Sequence, residues 1–364
     1  VALQVRPSTA ELRRLRKPGT SNAAAHREYL KGRHFLNQMS EAGIRRAIDH
    51  FSDAVANDSR YGLAYCGLAD CYNLFAFLGL EAPDVVLPKA REAARTALGL
   101  DDELAEAHAS LASVTKVYQW DWHRAESGYR RALALNPSYA AALRWYAAHL
   151  AAMGRRDESR SVIRRASELD PLSPIIVTER AWHAYMARDF DLARSHAIDA
   201  LGLQPEFAPA LFALGLACEQ LGDQDEALDA FRSAAAQAPN PAVVASEAHL
   251  LAAMGRRDEA LRLKAGLERL ARERYVAPFW FAIIASELDN REVGLSWLER
   301  AFEQHDVWLV WLKTEPRLDP FRAEARFQRV LNRVGLGNTG AGRDASESHA
   351  PDPVLSAIGA AAYR

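Results

Sequence analysis

The stretch LFALGLACEQLGDQDEALDAFRSAAAQAP, residues 211–239, carries two runs of apolar residues at helical spacing around a short polar break. Leu211, Leu214 and Gly215 mark the first run, and Ala227, Phe231 and Ala234 mark the second. Gly222-Asp223 is the break, and Pro239 stops the second helix because it has no N–H with which to continue it. A single pair of helices leaves half of its apolar surface uncovered. The fold therefore turns on whether the unit recurs.

It does. Pro137, Pro171, Pro205 and Pro239 follow one another at intervals of 34 residues, each after a helix-like run: RRALALNP, RRASELDP, AIDALGLQP, FRSAAAQAP. A fixed period of this size is the mark of a stacked array. In AAALRWYAAHLAAMGRRDESRSVIRRASELDP, residues 140–171, Gly154 supplies the left-handed residue that ends the first helix, and Asp157 is the expected N-cap of the second. These residues resemble the tetratricopeptide repeat. Besides the seven positions of the best unit, Ala181, Ala184, Ala193, Ala197, Ala200 and Pro205 fit the repeat pattern, as do Tyr146, Ala147, Leu150, Ile163, Ala166 and Pro171. Small residues recur because closely packed helices leave no room for more than a methyl group at their crossing points.

Degenerate units extend both ways and give about eight helix pairs over residues 24–305. In the second pair the inter-helix loop near 81–88 reads as longer than elsewhere. Residues 1–23 read as a junction and 306–336 as a C-terminal cap, in which Phe321, Phe327, Val330 and Leu331 share one helical face. Residues 337–364 are Gly/Ser/Asp/Pro-rich and are expected to be disordered. The fold class is an all-α solenoid, a superhelix of helix-turn-helix pairs closed by a capping helix that hides the last repeat's open edge.

Two segments resemble a narrower group. REYLKGRHFLNQMSEAGIRRAIDHFSDAVANDSRYGLAYCGLADCYNLF is similar to the first repeats of C-terminal arrays in large bacterial signalling proteins, and WLVWLKTEPRLDPFRAEARFQRVLNRVGL is similar to their ending. In that group the array follows an effector: a winged-helix domain of the CadC type, a Ser/Thr kinase or a nucleotide cyclase, often with a TolB-like domain between. Residues 1–23 resemble the junction out of such a TolB-like domain, and the chain opens on Val1 in mid-pattern, as a fragment or a late start would. Arginine supplies 39 of the 45 basic residues, a composition that suggests a GC-rich bacterial genome. The resemblance implies a non-catalytic scaffold that holds a peptide or protein segment in the concave groove. The alternative it leaves open is a ligand-sensing regulatory domain whose effector lies outside this chain.

Composition narrows the field further. A net charge of -2 offers no field for a polyanion, so nucleic acid is not an expected partner. The locally basic RRLRKPG reads as a linker arm, and the GRRDE sequences at 154–158 and 255–259 read as solvated turns. Cys66, Cys71 and Cys218 are too few and too scattered for a disulfide framework or a Cys-rich zinc site and read as small buried residues. No apolar run is long enough to span a bilayer and no secretory signal is legible, so the expected compartment is the cytoplasm, or the periplasm if a membrane span lies upstream. There is no G-x-x-x-x-G-K-[ST], H-E-x-x-H, C-x-x-C or G-x-S-x-G. Gly337, Gly340 and Gly342 follow no strand, and His123, His149, His183, His196 and His249 read as surface or satisfied core groups. Asp101-Asp102 reads as helix capping. The expectation is therefore no enzyme, no cofactor and no metal site.

In a helix-pair solenoid the first helices line the concave face. By register, the groove candidates are Tyr29, Arg33, Asn37, Asp70, Asn73, Lys116, Arg144, Trp145, Glu179, Trp182, Tyr185, Phe212 and Glu219, flanked by Ser113, Thr178 and His249. The aromatics among them suit either hot spots for a partner or gap-filling between repeats. Lys116 and Arg144 have no Asn on the same face, which speaks against a carboxylate clamp of the Lys/Asn type. Two truncations separate core from groove. Phe231→Ala should leave a cavity and cost about 3–5 kcal/mol in urea unfolding, whereas Trp182, on an open concave face, should be removable with little loss of stability.

Overall fold

The computed structural model describes residues 19–288 and 291–337. Eight helix pairs follow one another. They are α1 (Ala23–Leu36) with α2 (Glu41–Asn57), α3 (Gly62–Phe77) with α4 (Pro83–Leu100), α5 (Ala105–Gln119) with α6 (Trp122–Leu135), and α7 (Ala140–Ala152) with α8 (Arg156–Leu169). Then come α9 (Pro174–Met186) with α10 (Phe190–Leu203), α11 (Ala208–Leu221) with α12 (Gln224–Gln237), α13 (Pro241–Ala253) with α14 (Arg257–Glu273), and α15 (Pro278–Leu288) with α16 (Arg291–Glu303). Two 3-10 turns, Val307–Trp311 and Pro316–Phe321, lead to the capping helix α17, Ala325–Arg333. Among the described residues there is no strand, and the all-α solenoid read from the repeat is the observed fold.

Each of the first seven pairs reverses direction through one left-handed residue. Gly79, Gly154, Gly222 and Gly255 take this position with φ of 64°, 81°, 86° and 75°. Met39, Trp120 and Arg188 take it in three other pairs with φ of 51°, 51° and 65°. Two local expectations are corrected. Arg155 is the N-cap of α8, and Asp157 sits inside the first turn beside Glu158, where it meets the positive end of the helix dipole instead of capping it. The loop in the second pair is longer than the other described turns within pairs, as expected, but it lies at 78–82 and not at 81–88, because Pro83 starts α4 in the N1 position that tolerates proline and Pro88 is absorbed within the helix. The Asp101 carboxylate accepts the Glu103 backbone N–H at 3.1 Å, as a capping group does.

Odd-numbered helices pack on the next odd-numbered helix and so form the inner layer, with the even-numbered helices outside. The layers lock where a ring lies flat on a glycine. Phe51 covers Gly32 and Gly67, and a Cβ built on either would come within 2.6 or 2.5 Å of the ring; Phe231 covers Gly215 in the same way at 2.5 Å. All three cysteines are buried and free.

The array turns far enough to bring its last pair beside its third. Trp120 stacks on Phe302 and His305 with centroids 4.8 and 5.3 Å apart. The C-terminal segment packs on the last pair: Phe321 lies on Gly294, and Arg326 of α17 pairs with Glu299 of α16. Phe321, Phe327, Val330 and Leu331 are all buried. The cap also reaches α6, where the Trp122 indole N–H donates to the Val334 carbonyl at 2.7 Å. Most of the junction and of the expected disordered tail lies outside the described residues.

The glycine contacts make a paired prediction. Gly215→Ala pushes a methyl into the Phe231 ring and should cost about 1–3 kcal/mol. Gly202→Ala, in α10 with nothing within 4 Å of the new methyl, should be neutral or stabilise by about 0.5–1 kcal/mol. Urea midpoints of the two variants check both signs.

Candidate interaction site on the concave face

The groove candidates lie on or at the end of the inner helices, and their surroundings fall into two unlike halves. In the C-terminal half the chain covers its own groove. Trp182 of α9 meets Trp308 and Trp311 edge-on at 6.1 and 5.5 Å and lies over Phe212 of α11 at 6.3 Å. Trp308 continues the cluster to Trp280 of α15 at 4.6 Å and Phe77 of α3 at 6.0 Å. The Tyr185 hydroxyl donates to Glu315 Oε1 at 2.8 Å. Arg317 donates to both Glu315 oxygens, Nε at 2.9 Å and Nη2 at 3.1 Å, and through Nη1 to Ser246 Oγ of α13 at 2.7 Å. Glu315 and Arg317 are 1% and 3% exposed. Burial opposes the ionised carboxylate, yet Arg317 beside it outweighs burial and holds Glu315 below the usual carboxylate range. Next to this pair, Glu219 and His249 meet at 2.7 Å.

The expectation that Trp182 and Tyr185 present an open surface is thus corrected. Tyr185 is 1% exposed, and Trp182 is half-buried beneath the segment 307–321. Trp145 is also half-buried, packing against the core around Tyr146. The residues that sequence reasoning missed are Trp308, Trp311, Glu315 and Arg317. Their signal was present, since VWLVWL at 307–312 is more apolar than an edge cover requires.

The N-terminal half is charged. Tyr29 of α1 packs against Phe51 and Tyr61 at 5.7 and 5.2 Å, and burial pushes its hydroxyl up to about 12. Arg33, one turn on, is opposed by burial, but Tyr29, Tyr139, Asp70 and Glu106 around it hold the guanidinium charged. Arg33 forms no ion pair with any described residue; its surroundings act at longer range. Asn37 ends α1 and is exposed. On α3, Asp70 accepts the Ser110 hydroxyl at 2.5 Å, and burial pushes its carboxyl up to about 6. Asn73 is buried and its Oδ1 has no partner among the described residues. On α5, burial pushes the Lys116 ammonium down to about 8, against the pull of Glu179. Arg144 grips Glu179 bidentately from α7 to α9, Nε to Oε2 at 2.8 Å and Nη2 to Oε1. Both members of that pair keep about a fifth of their side-chain surface, 18% and 23%.

Among the described residues one His/carboxylate group has donor atoms within 4.8 Å of one another, Glu28 with His50 and Asp53. The Lys31 ammonium already lies 2.8 Å from Glu28, so the set reads as an ion-pair cluster. Among the described residues no helix is long and apolar enough to cross a membrane.

Comparison with known proteins agrees with this architecture. The family model of the tetratricopeptide repeat matches residues 113–174 and 178–241. The transcriptional regulator HilA of Salmonella typhimurium is 25% identical over 163 residues, 45% of this chain and 29% of that protein, and HilA of Salmonella typhi matches to the same extent. The chain therefore spans about three tenths of the length of the curated relatives it matches. Among solved structures, yeast Tom70 is similar with a TM-score of 0.52 at 16% identity, over 86% of this chain and 68% of that one. The IFIT1 monomeric mutant with Gppp-AAAA is similar with a TM-score of 0.58 at 16% identity, over 85% and 71%. That likeness is one of fold. The repeats within residues 113–174 and 178–241 are tetratricopeptide repeats.

The covered groove changes what truncation does. Trp182→Ala and Trp308→Ala should each cost roughly 3 kcal/mol, since each empties one side of the same aromatic contact. The double variant should cost less than the sum by about 1 kcal/mol or more. A double-mutant cycle from denaturant unfolding reads this, and strict additivity would show that the two rings do not support each other.

Proposed function

We propose that this chain is a non-catalytic protein-interaction module of a bacterial regulatory or signalling protein, and that it holds a partner's segment on the N-terminal half of its concave face. The observation that carries the reading is the division of the groove. The aromatic half is filled by the chain's own residues 307–321, while Tyr29, Arg33, Asn37, Arg144 and Glu179, on or at the end of inner helices, keep accessible surface. Arginine and tyrosine are the residue types that concentrate binding energy at interfaces. Arg33 is charged, half-buried and without an ion pair among the described residues, so a carboxylate brought by the partner is its natural complement. The favoured occupant is an extended segment with an acidic side chain. Similarity to a protein named a transcriptional regulator supports the regulatory setting.

A second reading, a ligand-sensing regulatory domain, draws on Lys116. Its ammonium is buried without a hydrogen bond to any described residue, and such a group is suited to a small anionic ligand.

A photo-crosslinking residue placed at Asn37 tests the first reading in the full chain, with one at the exposed, outward Ile198 as control. The expected result is a discrete polypeptide adduct from position 37 that falls about tenfold or more with Arg33→Glu, the penalty of a lost and reversed charge pair. Equal adducts from both positions, or adducts indifferent to Arg33→Glu, would overturn it.

A further inference from the structure

A second feature lies away from the groove, in the wedge between the fourth and fifth helix pairs. A cavity of about 240 Å³ opens there between α8, α9 and α10. Its polar lining is cationic or imidazole throughout: Arg156, Arg160, Arg164, Arg180, His183 and His196. The three α8 arginines recur every fourth residue and so share one helical face, aimed at the facing helices. No carboxylate lines the cavity. The floor is apolar, with Ile163 and Leu192.

Neighbouring groups leave most of this charge uncompensated. Arg160 reaches Asp189 at 3.2 Å, a pair half open to solvent. Arg180 donates to His196 Nε2 at 3.2 Å, and the other nitrogen of that ring lies 3.4 Å from Asp199. A neutral imidazole takes no charge from Arg180, so this contact orients the guanidinium without neutralising it. Arg156 and Arg164 make no ion pair with any described residue. His183 is 6% exposed; its Nδ1 lies 3.4 Å from Ser159 Oγ, and its Nε2 has no partner among the described residues. Lys116, Arg144 and Glu179 act on His183 from the inner side, and burial pushes its imidazole down to about 4, so the ring is neutral.

We propose that this cavity is a binding site for a small phosphomonoester, held through its phosphoryl group by Arg156, Arg160, Arg164 and Arg180. A planar carboxylate is satisfied by one guanidinium fork, whereas a tetrahedral dianion with three peripheral oxygens uses several forks arriving from different helices. Here they arrive from α8 and α9, and the apolar floor accommodates the carbon skeleton of the ester. Because the cavity bridges two pairs, an occupant stiffens the joint between them. The site is independent of the groove and of whatever segment docks there.

The test uses the full chain at physiological ionic strength, with isothermal titration of inorganic phosphate, phenyl phosphate and succinate. The expected result is one phosphate per chain, tighter binding of phenyl phosphate, and weak or absent binding of succinate. Arg156→Gln with Arg164→Gln, two exposed residues whose loss breaks no pair in the fold, should weaken phosphate binding about tenfold or more, as loss of charge-assisted hydrogen bonds does. Arg131→Gln, exposed on α6, should leave it unchanged. Equal weakening by Arg131→Gln would mark a diffuse charge effect, equal affinity for succinate would remove the phosphoryl assignment, and absence of saturable phosphate binding would remove the site. Each of these overturns the proposal.

Discussion

The closed form of this solenoid depends on one buried ion pair. Desolvating a carboxylate and a guanidinium together costs several kcal/mol for each ion, and the cost is met only when the remaining hydrogen-bonding positions are filled. Glu315 and Arg317 meet that condition with partners from separate repeats, the Tyr185 hydroxyl of α9 and the Ser246 hydroxyl of α13. Two inner helices and the C-terminal segment must therefore be in place at once. Removing one ion would strand the other in the interior, a loss of about 3–5 kcal/mol. In an open solenoid, stability is close to a sum of nearest-neighbour terms. Here the fifth and seventh pairs are also joined through the chain's own end, and the Trp120–Phe302 stack joins the third pair to the eighth. The array acquires long-range terms that a linear stack lacks.

This closure sets what the concave face can do. An aromatic surface already packed against Trp308 and Trp311 has spent its contact area, and a partner would have to displace that packing before gaining any. The charged half carries no such penalty. Its cost is the burial of Asp70 and Lys116, which pushes the carboxyl up and the ammonium down, toward their neutral forms. Binding there is electrostatic in character, so it should be more sensitive to salt than an apolar groove would be.

What the sequence made legible was what repeats. The 34-residue spacing, the left-handed Gly154 and Gly222 and the ring of Phe231 over Gly215 follow from contacts inside one unit or between neighbours. Each unit states them again. Pro83 and Pro88 misled because the same residue that ends a helix also suits its first turn, and one sequence does not tell which role applies. The groove's occupancy was hidden for a different reason: Tyr185 and Glu315 are 130 residues apart, and their contact occurs once, with no period to reveal it. The arginine cavity lay between these cases. Its α8 face was visible as basic sequence, but the facing Arg180, His183 and His196 come from helices whose register had to be seen.

The departures from the repeat also have a common location. Of the residues held at positive φ, the glycines at 154, 222 and 255 have little or nothing within 4 Å of where a side chain would begin. The non-glycine residues sit in a conformation that costs of order 1–3 kcal/mol, which the surroundings must offset. Three of the four do so at the closure. Trp120 stacks on His305, which is itself at φ 50°, and Arg188 pairs with Asp319 at 2.6 Å. Only Met39 lies elsewhere. A turn that needs merely to reverse the chain uses glycine; a turn that must also place a large side chain against the returning end accepts backbone strain to do it. The turns of the third and fifth pairs, which carry Trp120 and Arg188, are thus ones through which the superhelix is fastened.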